Sequence, residues 1–111
     1  MIFEPLFHNP FQQFVKKQHK PFKAAIEDAV EAVLANPAAG EFKKGDLQGI
    51  QVFKFKFQRV EYLIACRFPA DSAISSAVAV GIEMLSADFY KIGVHENFYD
   101  ELKLYVNAMK G

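Results

Sequence analysis

Tryptophan is absent from the 111 residues, cysteine occurs once, and glycine and proline number only six and five. So little glycine and proline excludes collagen-like and low-complexity chains. A lone cysteine, Cys66, cannot form an intrachain disulfide, and its place in the apolar run from Tyr62 marks it as a small buried hydrophobe rather than a reactive thiol. No stretch of about 18 apolar residues escapes charge or proline, so no membrane span and no membrane partner are expected. The first residues, Met-Ile-Phe-Glu-Pro, lack the basic and apolar regions of a signal peptide, and a reducing cytoplasm is the expected compartment. An excess charge of one sign is missing too. Thirteen Lys and Arg balance thirteen Asp and Glu, which excludes a general coat protein for polyanions. A phosphate-cradling glycine loop, a Cys/His cluster at metal spacing and a nucleophile elbow are all lacking, so neither a metal nor a cofactor is expected.

What is present is apolar and aromatic. Hydrophobic residues make up 51%, including 12 Phe and 4 Tyr, enough to build the core of one domain over residues 1–111. Residues 2–7 look extended, with Pro5 confining them to a sheet edge. Asn9-Pro10 reads as an N-cap and first helical residue, and Phe11, Phe14 and Val15 carry a short helix over 10–19. After Pro21 a second helix bears the stripe Phe22, Ile26, Ala29, Val30, Val33 and Leu34, and Asn36-Pro37 and Gly40 end it. Only a proline break separates the two, which predicts a helical hairpin.

The period then changes to two. Gln51, Phe53, Phe55 and Phe57 alternate with Val52, Lys54 and Lys56, and a second strand runs from Val60 to Phe68. The connection at Gln58-Arg59 has no Gly or Asn to name its turn type. Residues 69–76 read as a loop and 77–92 as extended. From Asn97, a plausible N-cap, Phe98, Leu102, Tyr105, Val106 and Met109 form a last amphipathic helix. The expected fold is α+β: an N-terminal helical hairpin on one face of a curled antiparallel sheet of about four strands, with a C-terminal helix. The phenylalanine face should meet the helices, and the other face should present Lys54 and Lys56.

The neutral total conceals segregation. Residues 24–41 carry Glu27, Asp28, Glu31 and Glu41 with no base, whereas residues 42–67 carry Lys43, Lys44, Lys54, Lys56, Arg59 and Arg67 against Asp46 and Glu61. A basic sheet segment suits either a solvated face that resists edge pairing or a phosphate-binding surface. One local constellation offers acid–base groups, the run Gly93-Val94-His95-Glu96-Asn97-Phe98-Tyr99. Histidine is the side chain whose ordinary titration lies near neutrality, and Tyr99 offers a ring to stack on a base and a hydroxyl. The same run also suits a helix cap followed by core aromatics.

The passage Asn36-Pro37-Ala38-Ala39-Gly40-Glu41-Phe42-Lys43-Lys44-Gly45-Asp46-Leu47-Gln48-Gly49, the strand Val52-Phe53-Lys54-Phe55-Lys56 and the segment His95-Glu96-Asn97-Phe98-Tyr99-Asp100-Glu101-Leu102-Lys103 together resemble the RelE/ParE toxin superfamily, in its ParE-like branch. The resemblance implies a toxin of a type II toxin–antitoxin pair, with a cognate antitoxin as partner. RelE-type members cleave mRNA on the ribosome, the RNA 2′-OH attacking the adjacent phosphate to leave a 2′,3′-cyclic phosphate. ParE-type members inhibit DNA gyrase without cutting a bond. A third alternative is a weakly toxic module that only binds its antitoxin. In the nuclease reading, His95 and Tyr99 stand at the scissile linkage. Lys54, Lys56, Arg59 and Arg67 match the basic strands that contact RNA phosphate, with Lys43 and Lys44 beside them. Tyr99 matches the nuclease branch's tyrosine, while His95 stands about where that branch carries an arginine.

Overall fold

The computed structural model describes residues 1–110. Among them the chain forms β1 (Ile2–Phe7), α1 (Asn9–Lys16), α2 (Lys20–Ala35), β2 (Glu41–Phe42), β3 (Gln51–Phe57), β4 (Val60–Arg67), α3 (Asp71–Ala79), β5 (Met84–Gly93) and α4 (Phe98–Lys110), with 3-10 turns at Pro37–Ala39 and Gly45–Leu47. The five strands order as β1-β5-β4-β3-β2. β5, β4, β3 and β2 pair antiparallel in turn, but β1 runs parallel to β5, with Ile2 opposite Met84 and Phe7 opposite Phe89. The sheet is therefore mixed and not purely antiparallel. β1 can run parallel to β5 because the whole chain from α1 to α3 lies between them, ample for the crossover a parallel pair needs.

Alternation along β3 builds the core. Phe53, Phe55 and Phe57 face α1 and α2, where Phe11, Phe22, Ile26, Val30 and Val33 meet Ile64, Cys66, Phe89 and Ile92 of the sheet. Phe22 stacks on Phe57 with ring centroids 4.8 Å apart and touches Tyr62 at 4.7 Å, so the helical stripe and the aromatic strand face lock together. Each large side chain buried here contributes roughly 1.5–3 kcal/mol. α1 and α2 touch through Phe14 and Phe22 at 6.0 Å. Elsewhere they splay, leaving a groove of about 650 Å³ floored by Phe11, Ile26 and Val30. They are thus a looser pair than a closely packed hairpin. His8 and His19 are their N-caps, and the His19 ring accepts from the Phe22 amide at 3.3 Å; Asn9 lies already inside α1.

The helices do not all lie on one face. α4 packs on the opposite side, burying Phe98, Leu102 and Val106 against Leu47, Ile50, Val52, Leu63, Ala65 and Tyr90. Residues 52, 63 and 65 alternate with those of the first core, so the middle of β4, Leu63 to Cys66, is buried on both faces and reads as a continuous apolar run. Lys54 and Lys56 do lie on the α4 side, exposed where α4 no longer covers β3. Two local expectations also change. Residues 71–79 form a helix, not loop and strand; only Ala77 of it is buried, so it carries little periodic signal. Asn97 adopts a left-handed conformation, φ 61, in place of the extended one an N-cap takes, and α4 starts at Phe98.

Candidate functional site

The basic loop and the His95 segment meet because the Gly45–Leu47 turn, which follows Lys43 and Lys44, packs against α4. Lys43 follows β2, its amide held by the Ile50 carbonyl at 2.9 Å. Its ammonium lies over the Tyr99 ring, 4.9 Å from the centroid, a cation–π geometry. The His95 ring meets Tyr99 edge-on at 5.5 Å. Tyr99 is itself half-buried against Phe98, at 5.4 Å, which fixes the phenol while leaving one side open. A cation, an imidazole and a phenol thus share one surface, the combination that proton transfer beside a phosphate requires.

A residue overlooked in the sequence completes the group. Glu41 accepts a hydrogen bond from the Lys43 ammonium at 2.7 Å. That bond and charge hold the Glu41 carboxyl below its ordinary range, with Lys54 adding a smaller pull, and the same bond together with Tyr99 pushes the Lys43 ammonium upward. The signal available was the i, i+2 spacing on an extended segment, which places both side chains on one face.

The remaining basic candidates spread out. Lys56 lies two residues beyond Lys54 on the same face of β3, opposite Glu61. Lys44 is exposed at the head of the Gly45–Leu47 turn. Arg59 is exposed in the β3–β4 turn, whereas Arg67 lies at the far end of β4, about 26 Å away at strand rise. One guanidinium cannot share a phosphate with the other over that distance. Arg67 donates to the Tyr90 hydroxyl and to the Gln48 carbonyl, both at 3.2 Å. It lies across Gly49, whose φ is +87 and whose missing Cβ would sit 2.5 Å from the guanidinium. The positive φ calls for glycine there, whereas the guanidinium, at the end of a flexible side chain, can shift away from an added Cβ.

A second polar cluster joins residues far apart in the chain. His8 Nε2 lies 3.0 Å from the Asp88 carboxylate, which accepts from it, and Nδ1 lies 2.8 Å from the Tyr105 hydroxyl, within hydrogen-bond reach. Tyr90 packs against the same imidazole at 4.5 Å, and its own hydroxyl is pushed upward chiefly by burial. These contacts tie the β1–α1 junction to β5 and α4. No local pattern announces them, because residues 8, 88 and 105 meet only through the β1–β5 pairing and the packing of α4 on β5. Burial pushes the Cys66 thiol far above its ordinary value, as expected of an inert cysteine. Among the described residues, no three His, Cys, Asp or Glu side chains come together to hold a metal ion.

The passage from Asn36 to Gly49, the β3 strand and the His95 segment all fall within residues 6–103, which match the family model described as ParE-like toxin of type II bacterial toxin–antitoxin system. The chain belongs to the ParE-like toxin family. It is thereby the toxin of a type II pair, whose partner is a cognate antitoxin. No curated protein and no solved structure matches the ParE-like chain. Among the described residues of this ParE-like toxin, no helix is long and apolar enough to cross a membrane.

Proposed function

We propose that this toxin is a ribosome-dependent mRNA endoribonuclease that inhibits translation, acting at the surface formed by Lys43, Lys54, His95 and Tyr99. The observation that supports this best is the pairing of a cation and an imidazole with one phenol, at 4.9 and 5.5 Å from its ring. His95 takes the proton from a ribose 2′-OH. The 2′-oxygen bonds to the adjacent phosphorus as the bond to the 5′-oxygen breaks, leaving a 2′,3′-cyclic phosphate. The departing 5′-oxygen receives its proton from the Tyr99 hydroxyl. Lys43 and Lys54 balance the charge that grows on the phosphoryl oxygens, the contribution that usually dominates such reactions. Lys56, Lys44 and Arg59 contact flanking phosphates, and Arg67 holds the Gly49 loop.

Glu41 occupies Lys43 when no RNA is bound, and an incoming phosphate displaces it. Purified toxin is added to ribosomes carrying a defined mRNA and, separately, to gyrase with relaxed plasmid. The expected result is cleavage only in the presence of ribosomes, with 2′,3′-cyclic phosphate ends and undisturbed supercoiling. Loss of supercoiling without any mRNA cleavage refutes the nuclease reading in favour of a gyrase inhibitor.

A further inference from the structure

Gln51, at the start of β3, is 3% exposed and is the one polar side chain among the described residues that is buried. Its amide lies 2.6 Å from the Pro37 carbonyl. A carbonyl can only accept, so Nε2 faces Pro37 and Oε1 faces elsewhere. No donor among the described residues reaches Oε1, yet no unpartnered side-chain oxygen is sealed inside the protein. Oε1 therefore opens into the cleft that Gln51 helps to line, a space of about 750 Å³ between the end of the sheet and the first turn of α3. An acceptor in so buried a side chain is costly to leave without a donor.

Other groups converge on the same cleft. Arg67 stands at its rim with Nε and Nη2 bonded to Tyr90 and Gln48, which leaves Nη1 unbonded. Its guanidinium pairs with no carboxylate among the described residues. α3 begins at Asp71 behind Ala70 with no side-chain cap, so its first amides are open as well, and the exposed Asp71 lines the cleft. Phe3, Phe42, Phe68 and Ile74 form apolar walls, and the Phe42 ring is 66% exposed. Phe42 pairs with Gln51, so both side chains project from the same face of the sheet. Lys43, the next residue, projects from the other face, over Tyr99. The cleft thus lies behind the Lys43–Tyr99 surface and forms no part of it.

We propose that this cleft binds a ribonucleotide whose base carries an amino group. The phosphate lies between Arg67 and the open first turn of α3, a cation beside unbonded amides. Asp71 accepts from the ribose hydroxyls, as acidic residues do in other nucleotide sites. The base lies on the Phe42 ring and donates its amino N–H to Gln51 Oε1. Because Nε2 is held by Pro37, Gln51 can only accept here, and a base without the amino group leaves Oε1 unpaired. The volume falls within the range of sites that hold one small ligand. An apolar peptide supplies neither the anion nor the donor. A free nucleotide and a nucleotide within an RNA chain share this chemistry, and no step of the proposed cleavage is involved.

The test titrates the full ¹⁵N-labelled chain with adenosine 5′-monophosphate and follows its NMR spectrum. The expected shifts centre on the Gln51 side-chain amide and the backbone amides of Ser72 and Ala73. Purine riboside 5′-monophosphate lacks only the amino group, adenosine only the phosphate, and the 2′,3′-dideoxy nucleotide only the hydroxyls. Each binds at least about tenfold more weakly. Phe42→Ala, at an exposed position, weakens binding at least about tenfold without changing the melting temperature. A 5′-phosphorylated adenosine trinucleotide separates the two sources: tighter binding than the mononucleotide assigns the cleft to RNA, and equal or weaker binding assigns it to a free nucleotide. Shifts centred on Lys43 and Tyr99, equal binding of the analogue without the amino group, inorganic phosphate binding as tightly as the nucleotide, or no binding at about 10 mM overturns the proposal. None of these readings involves cleavage, so failure here leaves the nuclease test untouched, and failure there leaves this one untouched.

Discussion

Arg59→Gly should make the protein more stable. Gln58 and Arg59 hold φ of 49 and 69 in a connection where both central residues are left-handed. A residue with a Cβ resists that conformation by roughly 1–2 kcal/mol, and Asn-Gly is the pair that normally fills such a turn. Glycine returns about 0.5–1 kcal/mol of this through the greater freedom of the unfolded chain. The net gain is about 0.5–1 kcal/mol. The Arg59 side chain is exposed and makes no ion pair among the described residues that would offset this gain. For a domain of this size the gain raises the melting temperature by about 2–6 °C. The assay is a thermal melt followed by circular dichroism, with Arg59→Lys as a control that keeps both Cβ and charge and should melt with the wild type. A melting temperature that falls, or that rises equally in the lysine variant, refutes the left-handed turn.

Gly49→Ala should cost about 1–3 kcal/mol in urea unfolding, because alanine is strained at φ +87. Leu102→Ala should cost about 2–5 kcal/mol by the same measurement, since Leu102 is fully buried between α4 and the sheet. The Glu41–Lys43 pair gives a pH signature. The Glu41 carboxyl is held low, so the pair is intact above the ordinary glutamate value of about 4.3 and is lost as pH falls through the lowered folded value. Lys43 is held high, so at the alkaline end the pair survives past the ordinary lysine value of about 10.4. In a carboxyl-carbon NMR titration Glu41 should therefore show a midpoint below that of an ordinary glutamate, and Lys43→Ala should raise it most of the way back, Lys54 still pulling it down slightly.

The parts of the fold visible in the sequence were those with a strong period. Phe53, Phe55 and Phe57 repeat every two residues and Phe22, Ile26, Val30 and Val33 repeat as a helix, and these two faces meet in the structure. α3 was hidden because its short Ala/Ser stretch buries one residue and has no stripe to read. β2 was hidden by its length of two residues, and the parallel pairing of β1 by the distance along the chain to β5. The placement of α4 failed for a different reason. Periodicity shows that Phe98, Leu102 and Val106 share a side, but not which face of the sheet they cover. At the site, the local run His95 to Tyr99 and the basic loop at Lys43 were each legible, and their contact was not. It depends on the Gly45–Leu47 turn packing against α4. Glu41 went unmarked because it closed an acidic segment and its lysine partner opened the next. The His8–Asp88–Tyr105 cluster had no sequence signal of any kind.

The most direct test of the proposed chemistry is the rate at which His95→Ala and Tyr99→Phe cut mRNA on programmed ribosomes, beside wild type at equal concentration. Loss of a positioned acid or base typically slows a reaction by about 10²–10⁴-fold. Each variant should fall at least about 100-fold while its thermal melt stays within a few degrees of wild type. Cleavage at the wild-type rate in both variants would contradict the assignment of this surface as the catalytic site.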